Sequence, residues 1–129
     1  MKTKRFISLL LSAILFAGCA PTQSQAGSFR QITSDEAMTI IEKEKGYIIL
    51  DVRRPDEYAE GHIPNAINVP NETIGTSEIS ELPNKKQLIL VYCRSGRRSK
   101  QAAEKLVALG YTNIVEFGGI LDWKGEIVK

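Results

Sequence analysis

From residue 30 onward the chain alternates short apolar runs with segments whose apolar positions recur at helical spacing. Three runs, YIILDV at 47–52, QLILVY at 87–92 and NIVEF at 113–117, are mostly apolar at consecutive positions and read as strands buried on both faces. The shorter run at 66–69 is a fourth strand, and 30–32 fits a fifth at an edge. Between them, Thr33-Ser34-Asp35-Glu36 reads as a capping box opening a helix with Ala37, Ile40 and Ile41 on one face, and Gly46 stops it. Pro55-Asp56-Glu57 suits the first turn of a short helix, where Pro lacks only a spare N–H and carboxylates meet the positive end of the dipole. Residues 99–109 place Ala102, Ala103, Leu106 and Leu109 at helical spacing, with Gly110 in the stop position. This alternation predicts an α/β domain of three layers, a mainly parallel five-stranded sheet flanked by helices, with a ligand site at the carboxyl ends of the strands.

The first residues do not belong to that pattern. Met1-Lys2-Thr3-Lys4-Arg5 is a basic start, followed by an apolar stretch from Phe6 to Ala17 that is shorter than the roughly 17 to 25 residues of a spanning helix. Phe16-Ala17-Gly18-Cys19 resembles the lipobox of bacterial lipoprotein precursors, with Phe16 where that family usually has Leu. The resemblance implies a lipoprotein signal peptide over 1–18, a lipidated Cys19 as the new N-terminus, and export to the extracytoplasmic face of a bacterial membrane. Residues 19–28 then comprise that Cys and a flexible tether of small polar residues over 20–28, reaching at most about 30 Å. The structural domain is 29–129.

A chain of 129 residues has room for one domain, and 43% hydrophobic with 25% charged residues is an ordinary globular balance. The net charge of +2 belongs to the precursor. From Cys19 onward fourteen Lys and Arg face fifteen Asp and Glu, so no nucleic-acid partner is expected. The lone His62 lies in GHIP, where a structural role is expected, and no cluster at ligand spacing supports a metal. Neither GxGxxG nor GxxxxGK[ST] occurs, so no nucleotide and no other cofactor is expected.

If Cys19 is lipidated, Cys93 is the one thiol left, and an exported thiol without a disulfide partner needs an explanation. Its surroundings supply one. Cys93-Arg94-Ser95-Gly96-Arg97-Arg98-Ser99 puts a thiol at the end of a buried strand, then a loop with three Arg, then the start of a helix. Backbone N–H groups converging in the turn, the helix N-terminus and the three guanidinium groups all favour the thiolate. Cys93 is therefore the expected nucleophile and residues 94–99 the substrate-binding loop, with Gly96 where the turn needs a backbone that a side chain would forbid.

These residues resemble the rhodanese-like domains. DVRRPDEYAEGHIPNAINVP from Asp51, YCRSGRRS from Tyr92 and YTNIVEFGGILDWKGEIV from Tyr111 match its three signatures in order, with Asn65 where the family usually has Gly. The resemblance implies a single-domain, rhodanese-like sulfurtransferase. A small donor such as thiosulfate or a low-molecular-weight persulfide would load Cys93 as a persulfide, and a thiol, cyanide or an unidentified protein acceptor would unload it. Three Arg suit an anionic donor. A rival is Cys-based phosphatase or arsenate reductase chemistry, but such loops read Cys-x5-Arg, and the sixth residue after Cys93 is Ser99. A second class stays open, a non-enzymatic surface persulfide carrier or thiol redox sensor using the same thiol.

Around the loop, Asp51 is expected either to pair with a loop Arg or to cap the turn after its strand. Arg53 and Glu57 are expected to brace neighbouring loops through an ion pair, mutual or directed at the active-site loop, rather than to act directly. Trp123, placed in a short helix after Gly118-Gly119, is expected to pack.

Overall fold

The computed structural model describes residues 28–75 and 77–129. The expected signal segment, Cys19 and all of the tether except Ser28 lie outside the described residues.

The predicted elements form in the predicted order. Strands β1 (Arg30–Gln31), β2 (Ile48–Asp51), β3 (Ile67–Asn68), β4 (Ile89–Cys93) and β5 (Ile114–Gly119) alternate with helices α1 (Ser34–Lys43), α2 (Pro55–Glu60) and α3 (Arg97–Ala108). All neighbouring pairs are parallel, in the order β1-β5-β4-β2-β3, so β4 has partners on both sides. In α1 the capping box is made: Thr33 Oγ accepts the Glu36 N–H at 3.1 Å, and Glu36 accepts the Thr33 N–H at 3.4 Å.

Strand side chains alternate between faces, which divides the core in two. Ile89 and Val91 of β4 join Leu50 and Ile114 beneath Ala102, Ala103 and Leu106 of α3. Leu90 and Tyr92 face the other way, with Ile49, Val115 and Phe117 against Ala37 of α1. Each large side chain so buried, Leu106 for example, contributes about 1.5–3 kcal/mol of transfer free energy. Cys93, last residue of β4, continues the Ile89–Val91 face and so lies under α3.

Three details depart from the sequence expectation. Helix α3 begins at Arg97, two residues early, because Gly96 at φ 113° acts as N-cap and turns the chain straight from loop to helix. That puts Arg97 and Arg98 in the first turn, where the helix dipole disfavours cations by about 0.3–1 kcal/mol each. Helix α1 ends at Lys43, before Gly46. Trp123 falls just past a 3-10 turn (Ile120–Asp122) rather than within it, with its ring 5.9 Å from that of Phe117. Asn65 adopts φ 67°, the conformation that Asn tolerates better than other residues carrying a side chain.

Candidate active site

Cys93 ends the central strand, where the β4–β5 register slips between Val91 and Cys93 so that Cys93 faces Gly119. The loop that follows rests directly on β5. A Cβ built at Gly119 would collide with the carbonyl of Arg94 and the Cα of Ser95, so glycine is required there for close approach, not for its φ of −128°. Gly118, at φ 89°, bends the strand end beneath the loop.

Cys93 is 1% exposed. Gly96 N–H donates to Sγ at 3.0 Å, and Ser99 Oγ lies 3.3 Å from it on the first turn of α3. Of the expected nest, the Gly96 amide is the one backbone N–H that reaches Sγ among the described residues. Ser99 is fully buried. Its hydroxyl also lies 2.9 Å from the Gly96 carbonyl and 2.8 Å from Glu116 Oε1.

The three loop cations divide into two kinds. Arg94 and Arg97 are exposed, and among the described residues their side chains make no hydrogen bond or ion pair. Arg98 is half-buried and engages Glu57 of α2 through two hydrogen bonds of 2.6 and 3.0 Å. Those bonds hold the Glu57 carboxyl down at about 2 against the opposing cost of its burial, and they hold the Arg98 guanidinium above its ordinary value. The loop-directed alternative for Glu57 is thus the one realised.

Asp51 and Arg53 do not reach the loop, and the first alternative for Asp51 is corrected accordingly. Asp51 accepts the Arg53 backbone N–H at 2.9 Å and pairs with the Arg53 guanidinium at 2.7 Å. The buried Tyr92 hydroxyl, pushed far up by desolvation, donates to Asp51 Oδ2 at 2.7 Å. Arg53 extends to the Gly61 carbonyl at 2.7 Å, which ties the end of β2 to the turn before β3. Burial works against the Arg53 charge, but the hydrogen bonds and the charge of Asp51 outweigh it. Behind this network His62 stacks on Tyr58 at 3.7 Å between ring centroids and bridges to Val128, a structural placement.

One residue at the site was not singled out from the sequence. Glu116 is 2% exposed, on the same face of the sheet as Cys93, and accepts from Ser99 Oγ at 2.8 Å and from the Gly118 N–H at 3.1 Å. The signal was present, since a carboxylate inside the run NIVEF has to be buried with its strand. Among the described residues, no group of three His, Cys, Asp or Glu side chains lies at a metal's reach. A cavity lined by Ile79, Leu82, Lys85 and Tyr111 does not adjoin the loop. A cleft of about 370 Å³ does, bordered by Ser95, Gly96, Lys100, Glu116 and Gly118.

The rhodanese-like domain profile matches residues 33–126. The chain is 38% identical over 73 residues to thiosulfate sulfurtransferase PspE of Escherichia coli, covering 57% of this chain and 70% of that one. It is 35% identical over 99 residues to thiosulfate sulfurtransferase GlpE of Coxiella burnetii, covering 76% of this chain and 90% of that one. Among solved structures, a rhodanese from Escherichia coli with anions superposes with a TM-score of 0.59 at 36% identity, covering 64% of this chain and 98% of the other. The profile takes in every element from the cap of α1 to the turn after β5, and by its sequence and its fold the chain belongs to the rhodanese-like family.

Proposed function

We propose that the protein is a sulfurtransferase that carries sulfane sulfur on Cys93. The observation that carries this reading is a buried Cys93 at the end of the central strand, its sulfur contacted by the Gly96 amide, in a loop that also carries two exposed guanidinium groups, Arg94 and Arg97, without a side-chain partner among the described residues. The attacking sulfur, as thiolate, bonds to the outer sulfur of thiosulfate. The S–S bond of the donor breaks, its electron pair leaves with sulfite, and Cys93 keeps a persulfide. A thiol or cyanide then takes the outer sulfur and restores Cys93. Arg94 and Arg97 can attract the dianionic donor and stabilise departing sulfite, which favours thiosulfate or another anionic donor.

The phosphatase rival loses its clamp in this geometry. The last loop Arg, Arg98, turns to Glu57, and the sixth residue after Cys93 is a buried serine engaged with Glu116. As to place, we propose that the protein is exported and held at the membrane by a lipid on Cys19, a reading that rests on Phe16-Ala17-Gly18-Cys19.

Both hydrophobic clusters draw only on residues 29–123, so a chain starting at residue 20 keeps the described core. Incubated with thiosulfate, it should gain one sulfur by intact mass, and cyanide should discharge that sulfur catalytically as thiocyanate. Cys93→Ser, nearly isosteric and not ionised at neutral pH, should do neither while remaining folded. Absence of the adduct with thiosulfate and with a persulfide donor would overturn the reading in favour of a thiol sensor.

A further inference from the structure

Val115 and Phe117 of β5 face α1, so strand alternation turns Ile114 and Glu116 toward α3, the side on which Cys93 lies. Glu116 is buried there without a cation: among the described residues no Lys or Arg stands within ion-pair distance of it. A carboxylate held in that way beside a nucleophile is costly unless it has a use.

The use is legible in the atoms between them. Sγ lies 3.3 Å from Ser99 Oγ, and Ser99 Oγ lies 2.8 Å from Glu116 Oε1, with all three residues at most 2% exposed. Ser99 has one hydroxyl hydrogen, and besides the Gly96 and Gly118 carbonyls at 2.9 and 3.3 Å it can point it toward the sulfur or toward the carboxylate. With the thiol protonated, S–H donates to Oγ and the Ser99 hydroxyl donates to the carboxylate. With the thiol ionised, the carboxylic acid donates to Oγ and the hydroxyl donates to the sulfur. Two anions one hydroxyl apart in a buried site disfavour each other, and the hydroxyl between them is a path for a proton. The other charged groups around the pair are the exposed Arg94 and Arg97 of the loop, Lys100 of α3 and Glu36 of α1 at the adjoining cleft, where the Glu36 carboxylate is engaged with Thr33, and Arg98, engaged with Glu57.

We propose that Glu116 stores the Cys93 proton, acting through Ser99: it takes the proton as the sulfur attacks the donor and returns it as the acceptor removes the outer sulfur. This rests on the sulfurtransferase reading above. In the first half, thiol, carboxylate and thiosulfate dianion become persulfide anion, carboxylic acid and sulfite dianion. In the second, persulfide anion, carboxylic acid and cyanide become thiol, carboxylate and thiocyanate. Atoms and charge balance in both halves, and the buried site keeps one negative charge throughout.

The test uses Glu116→Gln, which keeps the shape and a hydrogen bond to Ser99 but cannot take the proton. Sulfur-free protein is mixed with thiosulfate in weak buffer near neutral pH, with a pH indicator, sulfite release and intact mass followed together. At a pH where its thiol is still protonated, the variant should load sulfur about a hundredfold or more slowly, regain rate as pH rises, and release one more proton per sulfur than the unaltered protein, a difference in which proton uptake by sulfite cancels. Ser99→Ala should show the same altered pH profile with Glu116 intact. In the unaltered protein, infrared difference spectra should gain a protonated-carboxyl C=O stretch on loading and lose it on adding cyanide. Equal rates and equal protons in Glu116→Gln, a faster reaction at low pH, or no carboxyl band in the unaltered protein would each overturn the proposal while leaving sulfur transfer in place. No sulfur on the unaltered protein would instead remove the function on which it rests.

Discussion

Asp51 shows how a residue beside the loop serves it without touching it. Its carboxylate is fully buried and answers three donors: the Arg53 backbone, the Arg53 guanidinium and the Tyr92 hydroxyl. Tyr92 immediately precedes Cys93, and its hydroxyl also accepts the Ile63 N–H at 3.1 Å, so the network fixes the end of β4 against its neighbours. Asp51→Asn would leave the Arg53 charge buried without a counter-charge and offer Tyr92 a poorer acceptor. Breaking such a pair from one side costs about 3–5 kcal/mol. The urea midpoint should fall accordingly, while the folded fraction still loads sulfur on Cys93. A stability loss below ~1 kcal/mol would mean that water replaces the lost charge and that the network is not what fixes the strand end.

At the level of elements, the contact to weigh is the one joining α2 to α3. Two cations in the first turn of α3 oppose its dipole, and Glu57 offsets one of them through the bonds to Arg98. Because the Glu57 carboxyl is held at about 2, the pair stays ionised throughout the neutral range. Arg98 is therefore both an anchor between helices and a charge on the first turn of the helix that covers the sulfur, its guanidinium held ionised chiefly by the bonds to Glu57. Arg98→Ala removes that cation and exposes the Glu57 anion to the loop. Turnover with thiosulfate should fall about tenfold, and more than with an uncharged sulfane-sulfur donor, because only an anion feels the change at the mouth. Equal losses with both donors would show that Arg98 matters only as a brace.

For the whole molecule, what was legible in the sequence was what local pattern dictates. The strands, the capping box of α1, the Pro start of α2 and the position of Cys93 all follow from periodicity and punctuation. What was not legible depends on pieces far apart in the chain. The order β1-β5-β4-β2-β3 is one case, the choice of Arg98 for Glu57 another, and the meeting of Glu116 with Ser99 across 17 positions a third. The proposed lipid anchor belongs to this scale as well. No helix among the described residues is long and apolar enough to cross a membrane, and from Cys19 onward fourteen basic side chains against fifteen acidic give no net attraction to anionic lipid. Attachment would then rest on acyl chains alone, at ~0.8 kcal/mol per buried CH₂, with more than one chain needed for a stable hold. Expressed as the full precursor in a bacterial host, the protein should enter the detergent phase on phase partitioning and stay with membranes through a high-salt wash. Cys19→Ser should move it to the aqueous phase with sulfur transfer unchanged, since Cys93 lies in the domain beyond the tether. Partitioning of the unaltered protein into the aqueous phase, or its release by salt, would overturn the lipid anchor and leave a domain that works untethered.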